Sequence, residues 1–152
     1  MAWWDDLDLG IKVDRPAEAF AIVGTPGDPY FTIAGGVVLL TGLIGIITEA
    51  PGGAQTLSFE LSPTVVAGAD VVLCTPTNIV AATLGDVITI SGAPGDALIN
   101  THLASNLMME DAPNGVALAP GILGLVATAA VGTARWVLWY KPADTGATVV
   151  VA

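Results

Sequence analysis

The chain has 152 residues, of which 53% are apolar and only 12% charged, with fourteen acids against four bases, Lys12, Arg15, Arg135 and Lys141. This length suits one domain with a real core. The formal charge of −10 excludes a binder of nucleic-acid backbones, which needs clustered Lys and Arg.

The first eighteen residues differ from the rest. They hold Asp5, Asp6, Asp8, Asp14 and Glu18 together with Trp3 and Trp4, and show no strand alternation. They have acids where a secretory leader has bases, so synthesis in a cytoplasm is expected. Residues 1–18 are therefore predicted as an extended N-terminal arm, and residues 19–152 as the folded domain. Adjacent tryptophans are preferred anchors in interface pockets. Trp3, Trp4, Asp5, Asp6 and Arg15 are candidate protein-interface residues, the arm packing on a neighbouring subunit or back on its own core. Asp6-Leu7-Asp8-Leu9-Gly10 lacks the third ligand and the closing Glu of a calcium loop.

Beyond the arm, runs of Val, Ile, Thr and aromatics are broken roughly every 8–12 residues by turn chemistry, the spacing of a sandwich or barrel. Strands are predicted at Ala19–Val23, Tyr30–Ile33, Val37–Thr48, Gln55–Leu61 and Ala69–Thr75. Others are predicted at Val87–Ser91, Val116–Ala119, Ile122–Ala130, Ala134–Tyr140 and Thr148–Val151. Turns are expected at Gly24-Thr25-Pro26-Gly27-Asp28 and Gly92-Ala93-Pro94-Gly95-Asp96, where Pro then Gly fits the two central turn positions. Pro51-Gly52-Gly53 and Pro113-Asn114-Gly115 are further tight reversals. Ala97–Met109 is a helix candidate on the recurrence of Ile99, Leu103 and Leu107, weakened by Asn100, Thr101, Ser105 and Asn106. The fold class is all-β: a single-domain antiparallel sandwich or barrel, jelly-roll or Greek-key-like.

Two uncharged stretches, Pro29–Thr48 and Ala112–Ala134, are long enough to cross a membrane as helices. Their glycines, prolines and β-branched residues favour strands instead, and no flanking bases orient them. No membrane partner is expected.

Gly42–Pro63 aligns without gaps on Gly121–Pro142, matching Gly42, Gly45, Ala50, Gly53 and Pro63 to Gly121, Gly124, Ala129, Gly132 and Pro142. Each copy reads as strand, small-residue turn, strand, either similar hairpins in the two sheets or a chance match in a Gly/Ala-rich chain. In the second copy Trp136, Leu138 and Tyr140 alternate with Arg135, Val137 and Trp139. Trp136 and Trp139 are candidate interface residues.

Catalytic devices are missing. His102 is the only histidine and Cys74 the only cysteine, so a usual zinc site and an intrachain disulfide are excluded. Cys74 lies in an apolar run and reads as an inert core thiol. There is no G-x-S-x-G, P-loop or G-x-G-x-x-G, and the acids outside the arm read as solvated turn residues. No cofactor, metal or enzymatic activity is expected. With eighteen charged side chains to cover a whole domain, part of the outside is expected to be covered by other protein.

Three segments resemble small virion proteins of tailed bacteriophages. They are Ser62-Pro63-Thr64 through Asp70-Val71-Val72-Leu73-Cys74, then Gly85-Asp86-Val87-Ile88-Thr89-Ile90-Ser91-Gly92, and the closing Trp136-Val137-Leu138-Trp139-Tyr140-Lys141-Pro142-Ala143-Asp144-Thr145-Gly146-Ala147. The resemblance covers about Ala19 to the C-terminus. It departs in the Trp-Trp acidic arm and at Ser91, where Thr is more usual. It implies a capsid decoration, or cement, protein: β-rich, often a homotrimer, bound to the major capsid protein on the outer capsid surface of the virion. The alternative is a tail, baseplate or fibre-associated module that binds host sugars through exposed aromatics.

Overall fold

The computed structural model describes residues 9–64, 69–100 and 108–152. Among them the chain forms strands β1 (Ile11–Ala19), β2 (Val23–Ala34), β3 (Val38–Glu49), β4 (Thr56–Pro63), β5 (Val71–Val72) and β6 (Thr77–Asn78). Then follow β7 (Val87–Thr89), β8 (Ile99–Asn100), β9 (Val116–Leu118), β10 (Gly121–Ala127), β11 (Thr133–Pro142) and β12 (Thr148–Val151). The described residues contain no helix long and apolar enough to cross a membrane.

Two antiparallel sheets result. Sheet A has the order β1-β11-β3-β7-β8, with β9 pairing β3 beyond β7; sheet B has the order β12-β2-β10-β4-β5, with β6 pairing β4 beyond β5. Strands β1 to β4 alternate between the sheets. The chain then returns so that β10 lies between β2 and β4, and β11 between β1 and β3. This winding is a jelly roll, an architecture in which two sheets close over one core and leave few open edges.

The inner faces follow the period-2 rule. Leu43 and Ile47 of β3, Leu57, Phe59 and Leu61 of β4, and Leu123 and Leu125 of β10 are buried in one cluster. At its centre Trp136 from sheet A meets Phe59 and Tyr30 from sheet B. The Trp136–Phe59 ring centroids are 4.8 Å apart at 84°, and Tyr30 stands 6.2 Å from each. Edge-to-face pairs of this kind add about 0.5–1.5 kcal/mol beyond their buried area.

The internal repeat has a structural meaning different from two similar hairpins. In the first copy β3 lies in sheet A and β4 in sheet B; in the second, β10 lies in sheet B and β11 in sheet A. Each copy is an arch spanning the sandwich, and the arches interlock, β3 with β11 and β4 with β10. Their turns, at Pro51-Gly52-Gly53 and Ala129–Gly132, meet at one end, where Gly132 (φ +88°) approaches Pro51.

Three expectations are corrected. Residues Ile11–Glu18, read as part of the arm, form with Ala19 the strand β1, whose alternation is hidden by a register shift between Arg15 and Glu18. The segment Gly24–Asp28 does not reverse the chain. It continues β2 through bulges against β10, and Gly27, with φ +85°, supplies the irregular backbone. The helix candidate begins instead as β8: Ile99 and Asn100 pair with Thr89 and Ile88 of β7. Residues 101–107 of that candidate, with His102, lie outside the described residues. The turns at Ala93–Asp96 and Ala112–Gly115 are present, each closed by its own backbone hydrogen bond.

Candidate interaction surface

The outer face of sheet A is built from the residues that alternate with the core. On β3 these are Ile44 and Ile46; opposite them on β11 stand Val137 and Arg135, and opposite them on β7 stand Thr89 and Val87. Ile99 of β8 continues the row beyond Thr89. Val137 is only 3% exposed, yet among the described residues it is a buried apolar side chain outside the core cluster. Trp139 lies over Gly42 of β3, where an added Cβ would come within 3.1 Å of the ring and 2.7 Å of the Met108 thioether. The sequence carries a signal for this face. Val37–Ile47 is almost entirely apolar, with no polar alternate positions, and a strand apolar on both faces has neither side available to water.

Charge borders this face on one side. All four bases of the chain sit on the β1·β11 ribbon. Lys12 and Arg135 both reach Asp14, at 2.7 Å each. Hydrogen bonds from Lys12 and then Arg135 hold the Asp14 carboxyl below its ordinary pKa. Away from this ribbon, residues 19–152 carry acids and no bases.

Arg15 points the other way, into the sandwich. It is 6% exposed, with its guanidinium carbon 4.1 Å from the Tyr30 ring centroid. Nη1 donates to the carbonyl oxygens of Tyr30 (3.2 Å) and Ala152 (3.4 Å), and Nη2 donates to Glu18 at 2.5 Å. One side chain thus ties the edge of sheet A to β2 and the end of β12 in sheet B. An inward charge, the neighbouring Pro16 and the bulge all spoil β1 as a template for a further strand.

The outer face of sheet B is nearly uncharged. Its rows are Val150, Thr32, Ile122 and Ser62; Gly124, Glu60 and Val72; and Val126 with Ser58. Val150 is 53% and Val72 40% exposed. Glu60 is the charged residue among these positions, and burial, then the nearby Asp70, raises its carboxyl pKa.

Of the expected interface residues, the described Arg15, Trp136 and Trp139 do not form one surface. Trp3, Trp4, Asp5 and Asp6 lie outside the described residues. Arg15 is an internal tie, not a surface anchor. Trp136 is 1% exposed in the core, so it offers no platform to a protein or a sugar, because it packs against Phe59 and Tyr30. Of the two described tryptophans, Trp139 stands on an outer face, half-buried.

Other candidates are sparse in chemistry. A depression of about 380 Å³ lies between the two arch turns, lined by Glu49, Pro51, Gly52, Val131, Gly132 and their neighbours, with Glu49 its titratable side chain. No group of three or more potential metal ligands occurs among the described residues. Cys74 is buried, its thiol pushed up to about 11 by desolvation.

The three segments of the phage resemblance have structural roles. In the closing one, Trp136, Leu138, Tyr140 and Ala147 are buried, and the Asp144 carboxylate accepts the Val37 N–H at 2.7 Å. Gly146 adopts φ +85°. Leu73 and Cys74 are core, Asp86 accepts from Thr83, and Thr89 donates to the Leu43 carbonyl. No protein-family model, no curated protein and no solved structure matches the chain.

Proposed function

We propose that this chain is a non-enzymatic structural subunit of a tailed-phage particle, a capsid decoration protein that binds the major capsid protein on the outside of the head and associates with copies of itself. The observation that carries the reading is the outer face of sheet B. Three strands present Val150, Ile122, Val126 and Val72 among small hydroxyl residues, with Glu60 the charged residue of these rows. Interface cores are depleted in charge in this way. The excess acid elsewhere suits a surface directed away from packaged DNA. The jelly roll is compatible with the reading without selecting it, since capsid proteins and lectins share it. A clamp repeated over many capsomers gains strength through multivalency from modest individual contacts.

The test is sedimentation of purified protein with expanded phage heads, with the oligomer mass measured by light scattering. Association into a defined oligomer and saturable head binding at hundreds of copies are expected. Ile122→Lys with Val150→Asp should weaken head binding by at least about tenfold, an interface loss of about 1.4 kcal/mol or more. A monomer with no affinity for any head would overturn the proposal, and binding at a few copies to tails would favour the tail module.

A further inference from the structure

The end of the sandwich at the arch turns carries the most exposed large apolar side chains among the described residues. Leu84 is 73% exposed, Ile22 67% and Val80 47%. Four connections cross between the sheets there, residues 20–22, 128–132, 50–55 and 79–86. They lie side by side, because β1-β11-β3-β7 and β2-β10-β4-β6 follow the same order. Asp86 is the one ionisable residue in all four connections, and it is buried.

Leu84 and Val80 are held outward by closed turns. In residues 83–86 the Asp86 N–H donates to the Thr83 carbonyl at 3.1 Å, and Gly85 supplies the positive φ, +91°, of the second central position. The Asp86 carboxylate accepts from the Thr83 N–H at 2.8 Å and from its hydroxyl at 3.1 Å. The Gly85 N–H donates to the Ile47 carbonyl, which fixes the turn on the end of β3. Leu84 takes the first central position. Val80 has the same place in residues 79–82, where the Ala82 N–H donates to the Ile79 carbonyl and the Val80 N–H to the Asn78 side chain. Gly, Pro and short polar residues usually occupy such corners. Aliphatic side chains fixed there lose little freedom when a partner buries them.

We propose that this end of the sandwich packs on the same end of a second copy, the Leu84 side chain of each chain entering the depression between the arch turns of the other. The proposal deepens the self-association in the functional reading and needs nothing from the capsid assignment. The depression, of about 380 Å³, is walled by Ala19, Ala50, Pro51 and Val131. An apolar cavity of about 150 Å³ holds a benzene ring, so a leucine side chain has room here. Gly52 also lines the hollow, and nothing stands within 4 Å of a Cβ added to it, so a second backbone can come close. The contact is isologous and closes on itself. Charge selects the occupant. With a formal charge of −10, copies repel wherever acids face acids. The four connections present no exposed ionic group, and Glu49 is the acid that lines the depression. They hold no base to attract an acidic or phosphate-bearing partner. A surface equally bare of charge, this same end of another copy, is the match.

Sedimentation velocity of the full chain over a concentration series tests the contact. A reversible, concentration-dependent doubling of mass is expected. Leu84→Asp and, separately, Gly52→Gln should each raise the dissociation constant of that step at least about tenfold, because each substitution acts twice in an isologous pair. Gly52→Gln adds bulk without charge and meets nothing in its own chain, so its thermal midpoint in dilute solution should match the parent's. Ile122→Lys with Val150→Asp, on sheet B, should leave the doubling intact. Both Leu84→Asp and Gly52→Gln should still bind phage heads, which separates failure here from failure of the functional reading. No doubling up to about 1 mM, or a doubling indifferent to both substitutions at this end, would overturn the proposal whether or not heads are bound.

Discussion

Gly45 stands directly opposite Trp136 across β3 and β11, and the indole occupies the space that a Cβ at position 45 would need, with ring atoms 2.6–2.9 Å from that point. Three residues along, Gly42 stands opposite Trp139 on the other face of the same two strands. A bare backbone beneath an aromatic ring lets the ring lie flat on the sheet, and the ring in turn covers the glycine.

Gly45→Ala should therefore destabilise the fold by about 1–3 kcal/mol, the usual cost of overpacking a filled core. The ring it displaces also meets Phe59 and Tyr30, so the strain reaches sheet B. Gly52→Ala is the control: nothing lies within 4 Å of its added Cβ. Thermal unfolding of the two variants should separate by several degrees, and equal midpoints would disprove the packing argument.

Arg15→Met should loosen the seam between the sheets. It removes donors from the carbonyls of Tyr30 and Ala152 and from Glu18. Hydrogen bonds from charged groups contribute about 1.5–3 kcal/mol, and the loss should fall in that range. Lysine cannot serve several acceptors from one planar fork, so Arg15→Lys should recover only part. Hydrogen exchange should quicken first at the amides of β12; unchanged protection there would refute the tie.

The Asp14 cluster fixes a pH dependence with a definite sign. The folded-state pKa of Asp14 is lowered, by hydrogen bonds from Lys12 and then Arg135. Its contribution is present above the unfolded value, near 4, and disappears as pH falls through the lower folded value. The carboxylate is exposed, so the effect is at most about 1 kcal/mol and shrinks in salt. Asp14→Asn should flatten this part of the stability curve below about pH 4 and leave it unchanged at acid extremes. A carbon-detected titration placing Asp14 at or above an ordinary aspartate would contradict it.

Cys74 should resist thiol reagents in the folded protein. Its thiol is pushed up to about 11, by desolvation first, so at pH 8 almost no thiolate exists to react. The Phe59 N–H also points at the sulfur, 3.3 Å away. Disulfide-exchange reagents should modify one thiol per chain in denaturant and very little without it. Rapid native labelling would mean that the β4–β5 region opens far more readily than its packing implies.

The sequence alone determined the class of this protein. Alternation in β11, the β-branched runs of β3 and β10, and the Pro-Gly turns at residues 92–96 and 113–115 are local signals, and local signals survive the loss of tertiary context. It also determined that only eighteen of the 152 side chains are Asp, Glu, Lys or Arg. Three kinds of fact needed the folded chain. Which sheet each half of the repeat joins depends on pairings between residues 58 to 104 positions apart in the chain, and no short window contains them. Strand β1 and the bulged Gly24–Asp28 segment were missed because a register shift interrupts alternation, and only a partner strand holds such backbone extended. The fate of individual side chains was likewise decided in three dimensions. Trp136 and Trp139 are equally conspicuous in the sequence, but residues an odd number of positions apart on a strand face opposite ways. One tryptophan thus fills the core and the other lies on an outer face.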